Sequence, residues 1–350
     1  MENPLYQLIR DAFENDASDV FLMEGEPPRI RRSGVVVPLN PEPISRASLQ
    51  ELWHGCDVNP TLRKEADVSW HVPGGGRLRV NLYHSLGRLA AVMRPIKEDI
   101  PSLEGLSLPS QQLEAWMRKP FGLVLVTGPT GSGKSTTVAA CLEWINQQLP
   151  RHIVTLEDPI EFLFTNKQSL FSQREIRQDS ESFAEGLRSA LRQSPDVLFL
   201  GEIRDAETAL TALHAAETGH LVISTLHSSG VVDTLDRFIH LIGSEKSGGA
   251  LYLLASQLIG IISQQLLPRN GGGMFPVLEF MQNEAGTRRW IMEKRLPELQ
   301  DYLLKSKEPT NCSLLEYLVA SVKQGFIEAE VARGVSARPQ DFDRVMRGIH

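Results

Sequence analysis

The segment Gly128-Pro-Thr-Gly-Ser-Gly-Lys-Ser-Thr136 constrains this chain more than any other. It fits the pattern G-x-x-x-x-G-K-[ST], with Lys134 and Ser135 at the two chemically demanding positions. The run before it, Gly122-Leu-Val-Leu-Val-Thr127, is apolar and reads as a buried strand. The run after it, Thr136 to Leu149, has helical spacing and stops at Pro150. Strand, glycine loop and helix in that order turn backbone N–H groups and a helix N-terminus toward a phosphate chain. Glycines at 128, 131 and 133 let the backbone approach an anion with no Cβ in the way. The candidate nucleotide-binding residues are therefore Gly128, Pro129, Thr130, Gly131, Ser132, Gly133, Lys134, Ser135 and Thr136. In such a loop the lysine reaches the terminal phosphates and the Ser135 hydroxyl ligates Mg²⁺. A glycine turn that merely precedes a helix is the plain alternative, and the correct flanking elements weigh against it.

With 350 residues the chain has room for two domains, each with its own core. Up to about Pro95 the pattern is short strands and turns framed by helices at Pro4–Asp16 and Ser48–Cys56. Strands are expected at Asp19–Met23, Pro28–Arg32, Val35–Leu39, Ala66–Val72, Arg77–Leu86 and Arg88–Arg94, with Ser33-Gly34 and Pro73-Gly-Gly-Gly76 as hairpin turns. That is a small α+β domain over 1–98, followed by a linker over 99–109. From Ser110 strands alternate with helices, the strands falling at Gly122–Thr127, His152–Leu156, Val197–Gly201 and Leu221–Thr225. Alternation of this kind predicts an α/β domain over 110–350, built on a parallel sheet covered on both faces. Ala250–Leu267 reads as a buried helix, and beyond Val277–Met281 the chain reads as helical to its end.

The net charge of −7 gives no general basic character, so nucleic acid is not an expected partner. Three scattered cysteines, Cys56, Cys141 and Cys312, have neither zinc-ribbon nor disulfide-framework spacing. No basic-then-apolar signal region opens the sequence, and no apolar run reaches the roughly 18–20 residues that span a bilayer. The expected location is the cytoplasm.

Ligands of open α/β sheets sit at the carboxyl ends of the strands, so the residues found there decide the chemistry. Glu157, Asp158 and Glu161 follow the strand ending at Leu156, and Glu202 follows the strand Val197–Gly201. His220 precedes the strand Leu221–Thr225, and His227 follows it. Acids beside a phosphate loop hold Mg²⁺ through water or orient the attacking water. Each also has a structural alternative. Glu157 and Asp158 could cap the next segment, Glu202 could simply pair with Arg204, and a single His near a strand is commonly a hydrogen-bonded structural residue. Convergence on one phosphate site favours the functional reading. His227 stands where a γ-phosphate sensor would sit, and no third His or Cys completes a zinc site.

These segments carry a resemblance. Gly128–Thr136, Thr155–Phe162 (TLEDPIEF), Ala190–Asp205 (ALRQSPDVLFLGEIRD) and Glu217–His227 (ETGHLVISTLH) resemble the Walker A, Asp box, Walker B and His box of the bacterial secretion ATPase superfamily. The chain is most similar to its type IV pilus retraction branch, and Ser18–Gly34 and Arg77–Ile96 resemble that branch's PAS-like N-terminal domain. The resemblance implies a RecA-like P-loop ATPase domain behind a PAS-like domain, and a hexamer holding ATP between the two domains of one subunit and the next.

For single residues it implies Lys134 and Ser135 on the phosphates and Mg²⁺, Glu161 polarising the attacking water, and Glu202 in the Walker B role on Mg²⁺ and water. His220 and His227 become the His-box residues, and Arg79 and Arg94 the arginines that the smaller domain offers to the nucleotide. On residue type alone those two arginines are equally a solvated strand face. The helix Asp233-Thr-Leu-Asp-Arg237 is a candidate subunit interface, with Arg237 as the crossing residue. The cysteines cannot build the tetracysteine zinc module of assembly and type II secretion ATPases, which favours the retraction branch. The region of that branch's A-I-R-x-L-I-R-E-type motif reads Ala285-Gly-Thr-Arg-Arg-Trp-Ile-Met-Glu293 and shares only Arg288 or Arg289, Ile291 and Glu293. An accessory retraction ATPase, a type II or type IV secretion ATPase, and a nucleotide-binding regulator of low turnover stay open beside a retraction motor. The motor would work on an inner-membrane platform protein and meet the membrane only through partners.

Overall fold

In the first 95 residues polar–apolar alternation, clearest in Arg77–Ser85, gives a strand one greasy face, and in the larger part continuous apolar runs give strands greasy on both. The computed structural model describes residues 4–32, 34–243 and 247–348. By contacts the chain divides into two units, Met1–Asp99 with Pro159–Leu163, and Ile100–Asp158 with Phe164–His350.

The smaller unit runs α1 (Pro4–Glu14), β1 (Asp19–Met23), β2 (Arg29–Arg32), β3 (Val35–Pro38), α2 (Arg46–Gly55), β4 (Glu65–His71), β5 (Arg77–Ser85) and β6 (Arg88–Pro95). Its strands pair antiparallel in the order β3-β2-β1-β6-β5-β4. Leu78, Val80 and Leu82 of β5 join Leu5, Ile9, Leu49, Leu52 and Trp53 of the helices in one core, while Arg77, Arg79 and Asn81 take the other face. Ser33 of the expected turn lies outside the described residues; Gly34 supplies the left-handed conformation, with φ +82°. Pro159–Leu163 joins this unit because Lys97 N–H donates to Glu161 O and Leu163 N–H to Lys97 O.

The larger unit continues with α3 (Ser110–Met117), β7 (Gly122–Thr127), α4 (Lys134–Gln148), β8 (His152–Glu157), β9 (Leu170–Glu175), α5 (Phe183–Ala190), β10 (Val197–Leu200), α6 (Ala206–Glu217), β11 (Leu221–Leu226) and α7 (Val231–Ile242). Then come α8 (Ser247–Gln257), β12 (Leu258–Pro268), β13 (Met274–Gln282), α9 (Ala285–Met292), α10 (Leu296–Lys305), β14 (Asn311–Cys312), α11 (Leu314–Lys323), α12 (Ala329–Val335) and α13 (Pro339–Met346). The sheet order is β14-β13-β12-β7-β11-β10-β8-β9, parallel from β12 to β9 and antiparallel at β13 and β14. Helices cover both faces: Leu123 and Leu125 of β7 enter one core, Val124 and Val126 the other.

Two expectations are corrected. Ala250–Leu267 is not one helix: α8 ends at Gln257 and β12 begins at Leu258. Buried between β7 and β13, β12 carries no alternation, and such a run cannot be told from a buried helix by spacing. Nor is the chain helical throughout beyond Met281, since β14 pairs with β13 through Phe280↔Cys312 and Met281↔Asn311. The stretch expected as a linker is also packed, with Leu103 and Leu108 buried against Trp116 and Met117 of α3.

Candidate nucleotide site

The phosphate loop leaves β7 at Thr127 and enters α4 at Lys134. Gly128, Gly131 and Gly133 have φ of +144°, +79° and +87°, a region that costs a residue with a Cβ. Lys134 is buried, and its Nζ donates to the carbonyls of Gly128 and Pro129, 2.9 Å each. The Ser132 hydroxyl is buried with no hydrogen-bond partner among the described residues. A loop with left-handed glycines, a lysine curled onto its own carbonyls and an orphaned buried hydroxyl fits a phosphate chain. The residues expected from the sequence to hold Mg²⁺ are Ser135 and Glu202. No cluster of three or more His, Cys, Asp or Glu suited to a metal occurs among the described residues. Mg²⁺ fits this short donor set because it keeps waters and takes phosphate oxygens as ligands.

Glu202 lies just past β10, where Gly201 N–H donates to Leu156 O (2.8 Å) and Thr225 Oγ1 to Gly201 O (2.6 Å). The alternative partner is real: Arg204 ion-pairs with Glu202. His227 Nε2 is 3.6 Å from the other carboxylate oxygen. The hydrogen bond from Arg204, with the charges of Arg204, His227 and Lys134, holds the Glu202 carboxyl below its usual range against the opposing effect of burial. Burial first, then the charge of Lys134, pushes the His227 imidazole down. Lys134, Glu202 and His227 thus share one electrostatic site.

Glu157 is buried and accepts from Thr155 Oγ1 (2.7 Å), while Asp158 takes Arg177 at 3.4 Å. His220 is a correction. It stands before β11, its backbone carbonyl accepting from Gly122 N–H at the start of β7, and its Nδ1 lies 2.9 Å from Ala215 O. The phosphate loop leaves the far end of β7, about 17 Å along the strand. His220 is therefore not a ligand of its own chain's loop. In parallel strands a residue before one strand shares the end where its neighbour begins.

Glu161, Arg79 and Arg94 belong to the smaller unit. Arg79 and Arg94 are direct cross-strand partners on β5 and β6. Arg94 Nε and Nη2 both donate to Asp19 Oδ1, at 3.0 and 2.6 Å, and Asp19 is buried. Arg94 so has a structural task that its sequence neighbourhood did not disclose. Arg237 is exposed on α7 and its Nη1 donates to His227 O (2.7 Å), a bond within one chain where a crossing residue was expected.

Sequence reasoning missed two buried polar residues, one at the loop and one under the helices α7 and α11. Gln264 of β12 donates through Nε2 to Ser132 O and accepts from Thr137 Oγ1, both at 2.7 Å. Glu279 of β13 accepts from Val231 N–H, which opens α7, at 2.7 Å and from Leu314 N–H, which opens α11, at 3.4 Å. The available signal was a polar side chain inside an apolar run, because such residues are buried only with partners.

Comparison with known proteins follows the same lines. The family model for type II/IV secretion system proteins matches residues 1–294. The chain is 37% identical over 342 residues to the type IV pilus retraction ATPase PilT of Pseudomonas aeruginosa, covering 96% of this chain and 99% of that one. It is 42% identical over 270 residues to a twitching motility protein of Neisseria gonorrhoeae, covering 77% and 72%. The crystal structure of the pilus retraction motor PilT with bound ADP superposes with a TM-score of 0.90 at 38% identity, covering 98% of this chain and all of that one.

Proposed function

We infer, for a chain that belongs to the type II/IV secretion system protein family, an ATP-hydrolysing motor of the pilus-retraction kind. The observation that carries this reading is the meeting of Lys134, Glu202 and His227 at the carboxyl ends of β7, β10 and β11. Lys134 would exchange its two loop carbonyls for phosphate oxygens, neutral acceptors for charged ones. Ser135 and Glu202 would hold Mg²⁺, which neutralises charge on the phosphates when bound. Glu202 stays ionised because its pKa is lowered, and His227, also lowered, stays neutral near pH 7 and offers one donor and one acceptor. Glu161 is the proposed water-polarising acid, and Glu157 and Asp158 line the same strand end.

Glu202→Gln tests the reading. It keeps the size of the side chain and loses the charge, so MgATP affinity should stay within about threefold while turnover falls about 100-fold. A variant that hydrolyses ATP at the wild-type rate would sink the assignment.

Arg79 and Arg94 are proposed to stabilise charge that develops during phosphoryl transfer. Planar guanidinium groups suit that task. In Arg79→Ala, steady-state kinetics should show kcat falling about tenfold or more with KM little changed. Arg94→Ala should also destabilise the smaller unit by removing two of the hydrogen bonds to the buried Asp19 carboxylate, which keeps Ser18 Oγ at 2.8 Å and Arg31 Nε at 3.3 Å. Wild-type kcat in both would remove the arginines from the site.

Assembly as a homo-hexameric ring is proposed on the family's habit of placing ATP between subunits. A site shared between subunits makes specific activity rise with protein concentration. Light scattering alongside an ATPase titration reads this directly, and a monomer of constant specific activity would rule the ring out. An inner-membrane platform protein is the proposed partner, reached from the cytoplasmic side; no helix among the described residues is long and apolar enough to cross a membrane.

A second reading, an accessory retraction or secretion ATPase, draws on the partial motif in α9, where Arg289 Nε donates to Glu293 at 2.8 Å on the helix surface. A deletion scored for surface pili separates the two, since loss of a retraction motor leaves pili in excess.

A further inference from the structure

We propose that Gln264 is a positioning residue that holds the phosphate loop in its anion-binding shape from a neighbouring strand, an inference that rests on the nucleotide reading above. Gln264 is buried at 3% exposure on β12, the parallel partner of β7. Its side-chain amide uses both ends. Nε2 donates to the Ser132 carbonyl within the loop, and Oε1 accepts from Thr137 Oγ1 in the first turn of α4. One planar group therefore fixes the loop against the helix that follows it.

The backbone tells the same story. A Cβ added at Gly128 would overlap the Gln264 carbonyl oxygen, and one added at Gly133 would lie 2.8 Å from Gln264 Nε2. Gly128 is thus required by the backbone of β12 at position 264, and Gly133 leaves room for the Gln264 amide. In a trans peptide the C=O and the following N–H point in opposite directions. Holding the Ser132 carbonyl toward β12 accordingly directs the Gly133 N–H away from β12, as an anion donor.

Without the amide the loop samples other shapes, and affinity falls by the fraction of molecules still competent to bind. A bound nucleotide restores the shape by its own contacts, so the loss falls on KM and on Kd more than on kcat. A merely structural role would lower stability without that split. The experiment uses the full chain, with MgADP binding by calorimetry, steady-state ATPase kinetics and nucleotide-free thermal melting.

Gln264→Leu should bind MgADP about tenfold more weakly, and raise KM in step, with kcat within about threefold of wild type. Equal MgADP affinity, or a fall in kcat at unchanged KM, would overturn the proposal. If Gln264→Leu does not fold, Thr137→Val decides, since it removes the donor to Oε1 at constant shape. MgADP affinity about threefold weaker is expected there, and unchanged affinity overturns the proposal. A wild-type chain that binds no MgADP would remove the nucleotide reading and this proposal with it. Binding by the wild type, matched by Gln264→Leu, would remove this proposal alone.

Discussion

Lys134→Ala should lose ATP turnover by about 100-fold or more, the scale set by removing one donor from a preorganised anion site. Two interactions are lost here. The cation that meets the phosphates is gone, and the loop loses the two hydrogen bonds that Nζ makes to Gly128 O and Pro129 O. Nucleotide affinity should fall as well, in contrast to Glu202→Gln, because the cation on the phosphates is lost, while the two carbonyl bonds act on the free loop alone. A third readout is electrostatic. Burial is the largest cause of the lowered His227 pKa and the Lys134 charge the next, so removing the charge should move the imidazole titration to higher pH. Phosphate release, nucleotide binding and an NMR titration of His227 check the three effects. Full hydrolysis by this variant would take the phosphate site away from Gly128–Thr136.

Glu279→Ala is expected to be the most destabilising of the substitutions considered, by about 3 kcal/mol or more. The carboxylate accepts the N–H groups of Val231 and Leu314, each the first residue of a helix. Alanine would leave the buried Val231 N–H and the part-buried Leu314 N–H without this acceptor. Glu279 also carries a pH signature. Burial, the largest cause, raises its pKa against the lowering effect of the two N–H bonds. The folded state then holds the proton more tightly than the unfolded chain, whose carboxyl has the ordinary value of 4.5. Stability attributable to this group is present below pH 4.5 and declines as pH rises toward the folded pKa. Glu279→Gln should flatten that part of the profile. Urea unfolding across pH 4 to 8 measures both effects. An alanine variant as stable as wild type would show that water reaches the two helix ends.

Much of the fold could be read before any coordinates, because local rules agree with the tertiary outcome there. The strands flanking turns at Gly34 and Gly74, the β7–loop–α4 unit and the Ser313-capped helix Leu314–Lys323 all follow from spacing and turn chemistry. Failures arose where distant residues decide. β12 is a strand because β7 and β13 supply its partners, which apolar spacing cannot reveal. His220 looked like a ligand because it is close to a strand in sequence, but the strand's direction carries it to the wrong end. Arg94 meets Asp19 across 75 residues, and Gln264 meets Ser132 across 132, so no window-based reading reaches either pair.

The place of β12 in the sheet has a consequence for how the protein comes into being. The phosphate motif is complete at Thr136, yet the strand that supports its loop begins at Leu258. On a ribosome adding residues in order, the loop emerges long before its buttress. Contacts that span more than a hundred residues form late, after the entropy of closing a long loop has been met. Nucleotide affinity should therefore be acquired near the end of synthesis. A nascent chain halted before Leu258 should display the whole motif and hold nucleotide poorly.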